Sequence, residues 1–307
     1  KPDSVGSPQR LFSFSFPHRD ATQTSAFAAN LPVLQGAISG EQWLDFGAIA
    51  HGTEGFIIHS ASSAHLVANI EIAADRLVDT EHVVADAYSE LLGFCEARGF
   101  HHVVRAWNFV PDINSGDGDG ERYRRFSMGR AEAFDSAGIT ETRLPAGTAI
   151  GVGTRDPLSI TVLAAKSSPQ MISNSRQIDA YHYPCEYGPR SPSFSRAALL
   201  RTPTQSCLLV SGTASVVGHR SMHPADVTKQ THETCVNLAQ VLNDAGYRGS
   251  ANELTGAAFR VYVRHADDFA SVREIHQSYF PGAPTTYLQG DICRRELLVE
   301  TEAAFSW

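Results

Sequence analysis

Two stretches of this chain share one hydrophobic pattern. Residues 54–62 (EGFIIHSAS) and 205–215 (QSCLLVSGTAS) each form a short apolar run ending in small polar residues, as a buried strand does. An amphipathic stretch follows each of them. Val84, Tyr88, Leu91, Leu92 and Cys95 recur at helical spacing before Gly99, and Val227, Thr231, Cys235, Leu238 and Leu242 do so before Gly246. A glycine just past the last apolar position stops a helix, because it enters the left-handed region without a Cβ penalty. The spacing then predicts a strand in each half, HHVVRAWNFV (101–110) and AAFRVYVR (257–264), and a second helix at about 121–137 and 267–280. Two strands close each unit: TAIGVG with LSITVLAA, and TYLQGDIC with ELLVETEA.

The order β-α-β-α-β-β therefore occurs twice, and a repeat of this length signals two similar modules. The expected organisation is an N-terminal segment (1–49), a first module (50–166), a connection (167–186) and a second module (187–307). The N-terminal segment holds two candidate strands, LFSFSF and the region near Leu34, and no third copy of the pattern. The fold class is α/β, or α+β by strict topology, with mixed sheets and helices packed on one face of each.

Composition narrows the function. With 307 residues, 42% of them hydrophobic and 19% charged, the chain has ample material for a core. A net charge of −8 argues against general nucleic-acid binding, which needs a basic face to displace counterions. Lys1, Lys166 and Lys229 are the only lysines among 25 basic residues, so the other 22 are arginines. Codon usage accounts for most of that excess, while some of the planar forks are suited to gripping carboxylates. No apolar run approaches the roughly 20 residues that span a bilayer, so no membrane partner is expected. The N-terminal residues lack a signal-peptide pattern, and five cysteines without a CxxC spacing fit neither a disulfide scaffold nor a zinc site. A soluble cytoplasmic protein is the expectation.

Several motifs carry little. GTAIGVG (147–153) lacks the lysine of a phosphate loop and leads into a strand. The acids of DINSGDGDGE (112–121) miss the calcium-loop positions, and the 13 histidines show no metal-binding pair. Ser211 sits outside any GxSxG elbow. No metal and no cofactor are expected. Glu300 in LLVETEA reads differently: alternation places Leu298, Glu300 and Glu302 on one strand face, where a carboxyl among apolar neighbours is either paired or functional.

The segments YGPRSPSFSRA (187–197), LLVSGTAS (208–215), VYVRHADDFASVREIHQSYF (261–280) and LLVETEA (297–303) resemble the reactive-intermediate deaminase (RidA, or YjgF-like) family. Over at least 250 residues the chain is similar to something narrower, the chorismatases, which carry two RidA-like modules in one polypeptide. RAWNFVPDIN (105–114), ERYRRFSMGRAEAF (121–134), YHYPCEYGPRSPSFSRA (181–197) and YLQGDICRRELLVETE (287–302) carry that resemblance. It implies action on chorismate, a dicarboxylate enol ether, with release of pyruvate and no cofactor.

By that resemblance Glu300 is the acid that protonates the enolpyruvyl methylene, and its counterpart in the first module is Thr161. One acid-bearing cleft is therefore expected. Gly212 and Cys293 match positions of the subclass that makes 3-hydroxybenzoate, and Cys293 is expected to act in catalysis and in product choice. The arginine with which RidA grips a carboxylate falls near Tyr287, and at Gly147 in the first module, so other arginines must hold the substrate. Arg130, Arg143 and Arg273 are the candidates, with Arg105 behind them, and Tyr187, Phe194 and Thr213 are expected to line the cleft. Two alternatives stand beside this reading: a hydrolytic chorismatase giving a dihydroxycyclohexadiene carboxylate, and a non-catalytic RidA-like carboxylate-binding protein. The oligomer is expected to be either a RidA-like trimer or a monomer completing its own cleft.

Overall fold

The structure, a computed structural model, describes residues 8–16, 26–36, 41–201, 205–249 and 256–307. The N-terminal segment forms β1 (Gln9–Ser15), β2 (Ala26–Ala28), β3 (Val33–Gln35) and β4 (Glu41–Asp45). The first module comprises β5 (Ala50–Glu54), β6 (Ile57–Ala61), β7 (His65–Ile72), α1 (Thr80–Ala97), β8 (His102–Pro111), α2 (Arg122–Ser136), β9 (Ala146–Val152) and β10 (Leu158–Ala165). The rest of the chain forms β11 (Gln170–Ile172), β12 (Ala197–Arg201), β13 (Ser206–Ala214), β14 (Val216–Val217), β15 (Arg220–Ser221) and α3 (Val227–Asp244). It ends with β16 (Gly256–Val263), α4 (Phe269–Tyr279), β17 (Thr285–Gln289), β18 (Asp291–Ile292) and β19 (Val299–Ser306).

The repeat is physical as well as sequential. The helices α1 and α3 both have 18 residues and start at an aspartate cap, Asp79 accepting from the His82 N–H and Asp226 from the Lys229 N–H. Both are followed by a left-handed glycine, Gly99 (φ 79°) and Gly246 (φ 91°). The strand before α1 is β7, which the sequence reading lacks; by sheet order β7, and not the 54–62 stretch that forms β6, is the counterpart of β13, while β6 corresponds to β12, also missing from that reading. The expected connection also contributes β11, paired antiparallel with β12.

Two seven-stranded mixed sheets result, ordered β18-β9-β8-β10-β7-β6-β5 and β11-β12-β13-β19-β16-β17-β3. Helices cover one face of each. Tyr88, Leu91, Phe126 and Phe134 pack on Leu66, Ile160 and Val162, while Cys235, Leu238 and Val241 pack on Leu208, Val210 and Phe259. The uncovered faces meet in a shared core that includes Val67, Trp107 and Leu163 from one sheet and Leu209, Tyr262 and Leu288 from the other. A small third sheet, β2-β1-β4, sends Phe12, Phe14 and Phe27 into the same core, with Phe14 edge-on to Trp107 at 5.3 Å. This is the expected α+β architecture of two similar modules.

Two strands cross between units. The β18 strand of the second module pairs with β9 of the first sheet (Ile292 opposite Ile150), and β3 pairs with β17 of the second sheet. A Cβ on Gly151 would fall 2.6 Å from Asp291 Cβ, and one on Gly147 would fall 3.2 Å from Phe194 Cβ. The glycines of GTAIGVG are therefore seam residues that let the second module approach. Among the described residues no helix is long and apolar enough to cross a membrane.

Candidate active site

The seam is made by β9 against β13. Within β13 the pairing with β19 slips between Val210 and Thr213, a bulge that turns Ser211 and Gly212 toward the first module. The Gly147 N–H donates to Ser211 Oγ at 2.8 Å, and the Gly212 N–H donates to Thr148 Oγ1 at 3.0 Å. Two β13 amino acids that would otherwise extend a ladder are thus spent on joining the modules. Beside this joint opens a cavity of about 420 Å³, lined by Tyr123 and Arg124 of the first module and by Tyr183, Tyr187, Phe194, Arg196, Gly212, Cys293, Arg294 and Glu300.

Glu300 projects from β19 into the cavity floor and is only 4% exposed. Burial pushes its carboxyl up to about 8; the charge of Glu302 adds to the rise, and Arg105 and Arg264 oppose it. It makes no ion pair among the described residues. A Cβ on Gly212 would lie 2.8 Å from the Glu300 carboxyl carbon, and closer still to Oε1, so only glycine leaves room for this acid.

Cys293 stands opposite, on the segment between β18 and β19. Arg264 holds that segment by donating to the carbonyls of Leu297 (2.8 Å), Ile292 (2.9 Å) and Arg294 (3.0 Å). Asn114 donates to the Cys293 carbonyl at 3.2 Å, a bond from the first module. Burial pushes the Cys293 thiol up to about 12, with the Glu300 carboxyl adding to it, so at neutral pH it is a thiol and not a thiolate. The Tyr123 hydroxyl is its hydrogen-bond neighbour and is itself pushed upward by burial.

Two guanidinium groups on the wall have no acidic partner among the described residues. Arg294 lies 3.8 Å above the Tyr187 ring and donates to the His219 carbonyl at 2.9 Å. Arg196 donates to Tyr183 Oη at 2.7 Å, while its Nε is buried without a hydrogen-bond partner. Arg130 lies behind Phe194, 2% exposed, with both Nε and Nη2 buried and unpartnered. A buried guanidinium without an anion is costly, and an incoming carboxylate removes that cost. Arg124 and Arg295 also reach the rim, but each is engaged by acids of the 117–121 loop.

The structure thus gathers Glu300, Cys293, Gly212, Tyr187 and Phe194 around one cavity, with Arg130 just behind it. It does not bring Arg143, Arg273 or Thr213 there. Arg143 is exposed and donates to the His101 carbonyl, and Arg273 is exposed and donates to Gln35. Comparable places on α2 and α4 say nothing about which helix face meets the seam. The bulge turns Thr213 away, and its hydroxyl donates to the Ser211 carbonyl at 2.9 Å. Arg105 is buried beneath the floor, paired with Glu302 at 2.7 Å rather than open to a ligand. Tyr123, Arg196 and Arg294 were not singled out, although all three lie within the quoted motifs ERYRRFSMGRAEAF, YHYPCEYGPRSPSFSRA and YLQGDICRRELLVETE. No cluster of three or more His, Cys, Asp or Glu residues able to hold a metal occurs among the described residues.

Comparisons with known proteins bear on the family and the fold. The family description "Chorismatase FkbO/Hyg5-like, N-terminal" matches residues 41–164. A 3-hydroxybenzoate synthase of Streptomyces hygroscopicus is 40% identical over 231 residues, covering 70% of this chain and 67% of that protein. A chorismatase of the same organism is 32% identical over 291 residues, covering 92% of this chain and 79% of that one. A crystal structure of a chorismatase superposes with a TM-score of 0.83 at 28% identity, covering 99% of this chain and 95% of that chain.

Proposed function

Since the chain belongs to the chorismatase family, we propose that it converts chorismate to pyruvate and 3-hydroxybenzoate, with Glu300 as the general acid. The observation that carries this is the buried carboxyl on the cavity floor, which has no ion-pair partner among the described residues. A carboxyl with an ordinary value of 4.5 gives few proton-donating molecules at pH 7, whereas one pushed up to about 8 is mostly protonated there. Glu300 delivers its proton to the methylene carbon of the enol ether, leaving an oxocarbenium centre. The ring carbon–oxygen bond then breaks with its electron pair on oxygen, which becomes the pyruvate carbonyl. The neighbouring ring hydroxyl oxygen closes on the vacated carbon and loses its proton. Opening of that epoxide with loss of a ring C–H proton gives the phenol, whose oxygen takes up a proton. Two protons are consumed and two released, so substrate and products balance without water, and Glu300 ends reprotonated.

Arg130, Arg196 and Arg294 bind the two carboxylates, and the tyrosine faces of Tyr183 and Tyr187 hold Arg294 in place. Cys293, a neutral thiol beside Tyr123, stands where the ring rearranges and occupies space that an attacking water would need. Gly212 keeps Glu300 close to the ring. The five free cysteines fit a reducing cytoplasm. The test is incubation of the pure protein with chorismate, following pyruvate and identifying the ring product by mass. An aromatic acid with a meta hydroxyl is expected. A dihydroxydiene acid would place the protein in the hydrolytic subclass, and no pyruvate above background would overturn the enzymatic reading.

A further inference from the structure

Beneath the cavity floor runs a chain of alternating charges that the reaction scheme leaves unused. Glu302 lies two residues beyond Glu300 on the same face of β19. Its carboxylate meets Arg105 of β8 at 2.7 Å, Arg260 of β16 at 2.9 Å and the Trp107 indole N–H at 3.1 Å. Arg260 in turn holds Glu41 of β4 through two bonds of 2.6 Å. Arg105 also donates to Thr148, the residue whose hydroxyl accepts the Gly212 N–H. Glu302 is 5% exposed and Arg260 1%, so water screens little of this charge.

Four carriers of charge beside a catalytic carboxyl are more than packing requires, since buried ion pairs seldom add net stability over apolar residues. We propose that Glu302 is a positioning residue for this reaction. Clamped by Arg105 and Arg260 next to Glu300, it keeps the neighbouring carboxyl in its proton-donating form, and the two arginines set how much of its charge is felt. The proposal rests on Glu300 being the acid. Near Glu300 also stand Tyr262, opposite it on β16, Arg264 just past β16, Cys293, Arg294 and Glu296 from the preceding segment, Tyr123 from α2 and Arg196 before β12, with Asp117, Glu121, Arg124, Glu186 and Arg295 elsewhere on the cavity lining. The β13 strand brings only Gly212 and Ala214 to the cavity, neither of them charged. Among all of these, Glu302 is the group that raises the Glu300 carboxyl beyond what burial does, while Arg105 and Arg264 lower it.

The experiment uses the full chain and chorismate, reading kcat/KM against pH and, independently, the protonated-carboxyl band of Glu300 in an infrared titration, assigned by its loss in Glu300→Gln. In Glu302→Gln the negative neighbour is gone and two cations remain, so the alkaline fall in rate and the infrared midpoint both move to lower pH, by roughly one unit. In Arg260→Gln the Glu302 charge is less neutralised, so both move to higher pH. Glu302→Asp, which keeps the charge, stays near the parent profile. A uniformly lower rate with unmoved midpoints, or shifts of the same sign in Glu302→Gln and Arg260→Gln, would overturn the role of Glu302. Turnover surviving in Glu300→Gln would instead remove the acid assignment, whatever the infrared midpoints do.

Discussion

The strands β10 and β19 occupy the same place in their modules and have opposite chemistry. In β10 the residue that the sequence match sets against Glu300 is Thr161, fully buried, whose hydroxyl accepts from Asn69 at 2.9 Å. Asn69 also donates to Ser159 Oγ at 2.9 Å, and separately the Tyr88 hydroxyl donates to Asn108 at 2.6 Å, so the pairs here are neutral. The pairing of β7 with β10 also runs in unbroken register, whereas β13 against β19 is bulged at the seam. A duplicated scaffold has thus divided its labour. In the first copy the central strand has its polar side chains paired; in the second the same strand leaves a carboxyl without an ion pair beside an opened ladder, while the first copy still contributes the unpartnered Arg130.

Breaking the acid itself should have the largest effect. Glu300→Gln is expected to lower turnover by about 10³-fold or more, whereas Thr161→Ala should leave kcat within about twofold, both read as pyruvate release. The same substitution should stabilise the fold. Between pH 4.5 and about 8 the unfolded carboxyl ionises while the folded one stays protonated, so the parent protein loses stability as pH rises through that window. Glu300→Gln should therefore unfold at higher denaturant than the parent at pH 7, by about 3 kcal/mol, with the difference vanishing below pH 4.5. Equal stabilities at both pH values would show that the carboxyl is not held neutral.

Next in size are the anion contacts. Arg130→Met should raise KM for chorismate about 10- to 100-fold, because it removes a buried charged hydrogen-bond donor. Arg143→Met and Arg273→Met should leave KM unchanged, and a rise in either would move the substrate site. Gly212→Ala should push the Glu300 carboxyl out of place, lowering kcat about tenfold and admitting some dihydroxydiene acid. The smallest effect on total rate is expected from Cys293→Ala, which should change the product ratio more than pyruvate output. An unaltered ratio by chromatography would remove Cys293 from the choice of product.

Much of the scaffold was legible because its signals are local. The stripes of α1 and α3, their terminal glycines and the β10 run are patterns a short window contains, and strand alternation places Glu300 and Glu302 together. What failed was nonlocal. The strand β7 (HLVANIEI) interrupts its apolar run with Asn69 and Glu71, and the two-residue β18 is defined by its pairing with β9. Arg273 shared the helical context of Arg130, yet the face a helix turns to the seam is decided by its packing partners elsewhere in the chain, and Arg143, just before β9, points to the His101 carbonyl instead. Thr213 obeyed alternation until a bulge broke it. Gly212 was marked by resemblance alone, since its reason, a carboxyl 88 positions later in the chain pressed against its Cα, has no trace in its neighbourhood.

The two-residue strand β18 has a thermal consequence. It immediately precedes Cys293, and its pairing with β9 is among the shortest ladders in the molecule. Short edge ladders open at free energies far below that of global unfolding. When β18 lifts from β9, the Cys293 segment keeps its Arg264 clamp but loses its register against the first module. On heating, product choice should therefore blur before total activity falls, and activity should fall before the cooperative melt of the two sheets: the enzyme forgets which acid to make while it is still folded.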